Sequence, residues 1–221
     1  MIADAILFDL DGTLVDTVPD ITDAVNVMLS GFDRPTVTDI TVGTWMGNGV
    51  ARLVERALAN AIDAPENPPE FDAALAKFSA AYSQQPCCRS QLYPGARELL
   101  ESLRSSHKLA IVTNKAAKFT PPLLESLGID HFFGAVVCGD TLPTRKPDPA
   151  PLFHALSLLG ADAGRAVAVG DSVTDVRAAH NASIPVVAVS FGYNHGHPIA
   201  DSNPNAVIDH LGDLPAAIAR L

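Results

Sequence analysis

The chain has 221 residues, 48% of them hydrophobic and only 18% charged, with a formal net charge of −10. That apolar content supplies a real core and excludes a disordered chain, and the acidic balance excludes a nucleic-acid partner, which calls for a basic patch or stripe. A length of this order suits one domain with an insert, or two small domains.

No apolar run approaches the ~20 residues that cross a bilayer, so no membrane partner is expected. Asp4 and Asp9 fall within the first ten residues with no basic stretch, which argues against a secretion signal. The cysteines are an adjacent pair, Cys87 and Cys88, and the singleton Cys138. Without Cys-x-x-Cys spacing or histidine partners they mark neither a zinc site nor a disulfide framework, and a reducing cytoplasm is the expected compartment.

In chain order, Ile6-Leu7-Phe8 is an apolar run that stops at Asp9-Leu10-Asp11-Gly12-Thr13. Residues i and i+2 of a strand point the same way, so Asp9 and Asp11 leave a strand end together, and Gly12 permits a sharp turn. Two adjacent carboxylates stay ionised most readily beside a cation, and Mg²⁺ prefers such hard oxygens. From Val18 to Ser30 the apolar residues Ile21, Val25, Met28 and Leu29 form a helical stripe that Gly31 ends. A second helix follows Gly47-Asn48-Gly49, with Leu53, Val54, Ala57 and Leu58 as its apolar positions, and a third runs from about 69 to 83. Residues 17 to 88 therefore read as helices joined by loops.

After Tyr93-Pro94-Gly95 the pattern becomes an alternation of helices with continuous apolar strands at 108–112, 135–138, 166–169, 185–189 and 206–208. This alternation predicts an α/β fold, a parallel sheet covered by helices on both faces, with the helical block inserted after its first strand. Ligands bind such sheets at the carboxyl ends of the strands. There the chain delivers Asp9 and Asp11, Thr113 and Asn114, Asp171 with Asp175, and Lys146 in Lys146-Pro147-Asp148-Pro149. Taken singly, Thr113 and Asn114 read as helix caps, Lys146 as a solvated lysine and Asp171 as an N-cap acid; four such endings in order point to a site.

Asp9-Leu10-Asp11-Gly12-Thr13, Val112-Thr113-Asn114, Lys146-Pro147-Asp148-Pro149 and Gly170-Asp171-Ser172-x-x-Asp175 together resemble the four motifs of the haloacid dehalogenase-like hydrolases. The resemblance implies a Rossmann-like core, here 1–15 and 89–221, with an all-helical cap domain at 16–88 that moves on hinges near Val15–Pro19 and Cys88–Pro94. It implies Asp9 as nucleophile forming an aspartyl-phosphate and Asp11 as general acid and base. The implied Mg²⁺ ligands are Asp9, Asp171 and the backbone carbonyl of Asp11. Thr113 and Asn114 would bind the phosphoryl group, with Lys146 neutralising it and holding Asp9, and Asp175 supporting Lys146 or a metal-bound water. The aspartate at position 11 favours phosphoryl transfer over dehalogenation.

The implied partner is a small phosphorylated metabolite chosen by the cap. Gly47-Asn48-Gly49-x-x-Arg52 and Ser190-Phe191-Gly192-Tyr193-Asn194 resemble segments of bacterial phosphoglycolate phosphatases. A helix N-terminus at Gly47–Gly49 offers free N–H groups for a carboxylate, with Arg52 as a second contact and Lys115 as a further candidate. The expected reaction is hydrolysis of 2-phosphoglycolate. The alternatives are a pyrophosphatase, a sugar-phosphate phosphatase or phosphomutase, and a catalytically silent binding module of the same fold. His195 and His197 are expected at the surface, Cys87 and Cys88 have no assigned role, and the oligomeric state is not legible.

Overall fold

The computed structural model describes residues 3–84 and 87–221. Its centre is a six-stranded sheet built from β1 (Ala5–Phe8), β4 (Lys108–Val112), β5 (Ala135–Val137), β6 (Ala166–Gly170), β7 (Val186–Val189) and β8 (Ala206–Ile208). The strand order is β5-β4-β1-β6-β7-β8 and every pairing is parallel. Connections run outward to β4 and β5 on one side of β1 and to β6, β7 and β8 on the other. The order thus reverses at β1, which places a crevice at its carboxyl end.

Strand periodicity decides what each face packs against. Ile6 and Phe8 of β1 share one face with Ile111, Val169 and Val189, beneath α5 (Ala96–Leu103), α6 (Thr120–Leu127) and α9 (Leu214–Ile218). Ala5 and Leu7 share the other with Ala110, Ala168 and Ala188, against α7 (Ala150–Leu159) and α8 (Val173–Asn181). Both faces are buried, which explains why the strands read as continuous apolar runs rather than alternating ones.

Between β1 and β4 the chain forms α1 (Val18–Ser30), α2 (Asp39–Trp45), α3 (Val50–Ala59) and α4 (Phe71–Gln84). These four helices close around an apolar cluster of their own, including Val25, Met28, Trp45, Leu53, Phe78 and Tyr82, which Phe119 joins from the sheet side. Helix α2 has little apolar period to announce it: Val42 and Trp45 are its buried residues, and Ile40 lies exposed. Its start is set by Thr38, whose hydroxyl accepts from the Thr41 N–H.

Where the chain enters and leaves this block, β2 (Val15–Asp16) and β3 (Gln91–Leu92) pair antiparallel as a two-residue ribbon. Beside it the buried Asp20 carboxylate accepts from the N–H groups of Cys88, Arg89 and Ser90 and from the Ser90 hydroxyl. The two crossings are therefore tied together by hydrogen bonds. No described helix is long and apolar enough to cross a membrane.

Candidate active site

The carboxyl ends of β1, β4 and β6 meet at a cleft roofed by α1, α3 and α4. Asp9 follows β1 directly, and its N–H still pairs with the Val169 carbonyl of β6 at 2.8 Å. The turn after it needs Gly12, which sits at φ +93°, where a Cβ would collide with the Asp171 carboxylate. Gly170 and Gly192 carry similar constraints, since a Cβ there would strike Asp175 and Asp171 respectively. Three glycines thus let backbone close on carboxylates.

Lys146 is 6% exposed, and its ammonium donates to Asp9 Oδ1 at 2.7 Å, Asp175 Oδ1 at 2.6 Å and the Val112 carbonyl at 2.6 Å. Its three hydrogens are all engaged. Burial alone would lower its pKa, but the carboxylates of Asp175 and Asp9 outweigh burial and hold it above the usual lysine value. Asp175 is placed by the first turn of α8: its Oδ2 accepts from the Ser172 N–H and hydroxyl. It therefore anchors Lys146 directly. Asp171 accepts from the Thr13 hydroxyl at 3.1 Å and the Tyr193 N–H at 2.7 Å.

Asp9, Asp171 and Asp175 each present a carboxylate oxygen within 4.8 Å of the others. Burial, then the neighbouring carboxylates, push Asp171 well above the usual carboxylate range; burial pushes Asp9 up to about 7 against the opposing pull of Lys146. Fully ionised, the three carboxylates, of which Asp171 and Asp175 are buried and Asp9 partly so, would carry two charges more than Lys146 balances. A hard divalent cation fits that charge and donor set. Asp175 accepts three hydrogen bonds from Lys146 and Ser172, whereas Asp171 accepts one on each oxygen and Asp9 accepts from Lys146 on Oδ1, so Asp9 and Asp171 keep more lone pairs for a cation.

Asp11 has different company. Its Oδ1 accepts from the Thr17 hydroxyl at 2.6 Å and from the Lys115 ammonium at 2.9 Å, and its carboxylate stands outside the acidic group. Thr113 is buried, with its Oγ1 accepting the Lys115 N–H. The Asn114 amide donates to the carbonyls of Gly47 and Lys146, so it bridges the helical insert to the sheet side. Asp9, Asp11, Thr113, Asn114, Lys146, Asp171 and Asp175 all line the cleft, as do Gly47 and Gly49.

Arg52 does not line it. Its guanidinium pairs with Glu55 at 2.9 Å and reaches the Ile62 carbonyl, while Glu55 also accepts from the Asn67 N–H. The cause is helical geometry: Leu53 faces the cleft, and its neighbour is turned ~100° away toward the loop after α3. Asn48 likewise is not a lining residue. The N-terminus of α3 therefore meets the cleft through Gly47, Gly49 and Val50.

One contact departs from the sequence expectations, and a second is new. His195 is half-buried rather than a free surface residue, with Nδ1 2.9 Å from the Thr44 carbonyl at the end of α2, because the loop after β7 folds under the insert; His197 is exposed. Tyr193 spans sheet and insert: its hydroxyl donates to Asp16 Oδ1 at 2.6 Å and accepts from the Thr17 N–H at 3.0 Å. The Tyr193 bridge has no local signal in the sequence, since its partners lie 176 and 177 positions away; Tyr82 reads as part of the apolar face of α4 with Phe78, and what that reading lacks is its contact with Lys115 and Phe119.

A parallel sheet with acidic side chains gathered at its switch point, a buried lysine holding one of them and a helical roof is the arrangement of a ligand-binding α/β cleft. Residues 6–189 match the model of the haloacid dehalogenase-like hydrolase family. The chain belongs to that family. It is 46% identical over 210 residues to a phosphoglycolate phosphatase of Nitrosococcus oceani, covering 95% of this chain and 93% of the relative. It is also 46% identical to one from Pseudomonas syringae pv. syringae, covering 95% and 77%. The crystal structure of a predicted phosphoglycolate phosphatase from Haemophilus somnus superposes with a TM-score of 0.92 at 36% identity, over 99% of each chain.

Proposed function

We propose that this protein hydrolyses 2-phosphoglycolate to glycolate and phosphate through an aspartyl-phosphate on Asp9, with Mg²⁺ as cofactor. The observation that carries the mechanism is the separate surroundings of the two aspartates. Asp9 faces Lys146 and Asp171 in the acidic group, whereas Asp11 is turned to Thr17 and Lys115. One is placed to attack and the other to handle protons.

In the first step an Asp9 oxygen forms a bond to phosphorus while the bond to the leaving oxygen breaks, and Asp11 delivers its proton to that oxygen. In the second, Asp11 takes a proton from water, the water oxygen bonds to phosphorus, and Asp9 is released as a carboxylate. Lys146 fixes Asp9 and compensates the transferring phosphoryl charge, and Thr113 offers its hydroxyl hydrogen to a phosphoryl oxygen. Mg²⁺ held by Asp9, Asp171 and the Asp11 carbonyl would supply charge compensation between carboxylate and phosphate. The helical roof restricts water at the intermediate.

The choice of 2-phosphoglycolate rests on the names carried by relatives up to 46% identical. Comparing kcat/KM for 2-phosphoglycolate with pyrophosphate and small sugar phosphates tests it. A preference for 2-phosphoglycolate is expected, and a flat profile would remove the substrate assignment. For the nucleophile, Asp9→Asn should abolish turnover; purified D9N that still turns over contradicts the mechanism.

A further inference from the structure

The cleft has two lysines among its described lining residues, and they are not equivalent. Lys146 spends its three hydrogens on Asp9, Asp175 and the Val112 carbonyl. Lys115, 8% exposed, spends one on Asp11 and otherwise stands 4.9 Å from the centre of the Tyr82 ring. An ammonium has three donors, and an aromatic face is a weak substitute for an anion.

A second observation lies beside the first. Tyr82 is 2% exposed and lines the cleft, and its hydroxyl makes no hydrogen bond of normal geometry among the described residues, its polar neighbour being the Lys115 ammonium. A buried hydroxyl without a well-formed hydrogen bond is costly, and its hydrogen and the remaining donors of the ammonium beside it are free for an oxygen from outside the chain. Stacking on Phe78 and the edge contact with Phe119 hold the ring rigid. Ile21, Met46 and Leu53 supply the apolar wall around this end of the cleft.

The location decides which part of a substrate would arrive there. Asp11, which hands its proton to the leaving oxygen, is one hydrogen bond from Lys115. A group one or two bonds beyond that oxygen therefore lies next to the Lys115 ammonium. We propose that Lys115, with the Tyr82 hydroxyl, forms the recognition pair for a carboxylate on the leaving group, and that this pair rather than Arg52 sets the preference for an anionic leaving group. The inference rests on the phosphatase reading with Asp11 as proton donor and adds the residues that choose its substrate.

The test is a ratio: kcat/KM for 2-phosphoglycolate divided by that for 2-hydroxyethyl phosphate, in which a neutral hydroxymethyl replaces the carboxylate. A ratio cancels any general loss of activity from disturbing Asp11. Wild-type enzyme should favour the carboxylate, and Lys115→Met should lower the ratio about 10- to 150-fold, the range for losing a charged hydrogen-bond partner. Arg52→Met should leave the ratio within about threefold, because Arg52 is bonded to Glu55 outside the cleft. If K115M does not fold, Lys115→Gln carries the same expectation. A wild-type preference that survives in the folded Lys115 variant overturns this inference while leaving the proposed function intact. No preference in the wild type overturns the substrate assignment itself.

Discussion

Replacing Lys146 by Met removes the one cation shared by a group of buried carboxylates. The methionine fills much of the same volume, so the effect is electrostatic rather than a cavity. Asp9 and Asp175 lose partners at 2.7 and 2.6 Å, and Asp171 stays within the same acidic group. Removing one side of a buried ion pair costs roughly 3–5 kcal/mol. At about 2–4 °C per kcal/mol for a chain of this size, that is a fall in Tm of ~6–20 °C. The pH dependence has a definite sign. Burial raises the Asp9 pKa from the usual 3.8 to about 7 and Lys146 opposes that rise, so in K146M Asp9 holds its proton to still higher pH. A carboxyl whose folded pKa is raised favours the folded state at low pH and loses that contribution as pH climbs through the folded value. In chelator-treated samples the difference in Tm between wild type and K146M should therefore be small near pH 4–5 and largest above about pH 7. Calorimetry across this range is the assay. Equal Tm values at pH 8, or a difference that grows on acidification, would refute the charge accounting on which the metal assignment depends.

The same accounting predicts that Mg²⁺ raises Tm more at pH 8 than at pH 5, since protons compete for Asp9 and Asp171; an increment independent of pH would place the metal elsewhere. Gly12→Ala should keep the sheet but lose Mg²⁺ affinity and turnover together, because φ +93° and the Asp171 carboxylate leave no room for a methyl; isothermal titration reads the loss, and wild-type affinity in G12A would contradict the close approach. Asp20→Ala strips four donors of their shared acceptor at the second crossing, at a cost of about 3 kcal/mol, seen as a fall in Tm of ~6–12 °C; an unchanged Tm would show that the crossing is held by other contacts.

Much of the sheet is legible in the chain because both of its faces are buried. A strand such as Lys108–Val112 then reads as an unbroken apolar run whose polar successors, Thr113 and Asn114, announce the site end. The helical stripes of α1 and α3 are legible for a related reason, since each turns one side to a separate apolar cluster. Helix α2 is not, because Gly43 and the β-branched residues Ile40, Thr41 and Val42 weaken a helical signal that the Thr38 cap and tertiary packing restore. The β2–β3 ribbon has two residues per strand, too few for any periodicity, and follows from the chain crossing the same gap twice. At the site, the motif residues converge because each ends a strand of one sheet. Arg52 shows the limit of spacing arguments: one helical step decides between the cleft and a Glu55 partner that sequence alone does not rank. Tyr82, Tyr193 and His195 gain their roles only when insert and sheet meet.

The most direct test of the division of labour between Asp9 and Asp11 uses Asp11→Asn with p-nitrophenyl phosphate and Mg²⁺. Nitrophenolate leaves without a proton, so the first step survives the substitution, while activation of water for the second does not. Rapid mixing should release one equivalent of nitrophenolate per active site and then stall, and mass spectrometry of the acid-quenched enzyme should find one phosphoryl group on the peptide containing Asp9. Linear turnover by D11N without a burst, or a phosphoryl group on any other residue, would contradict the account.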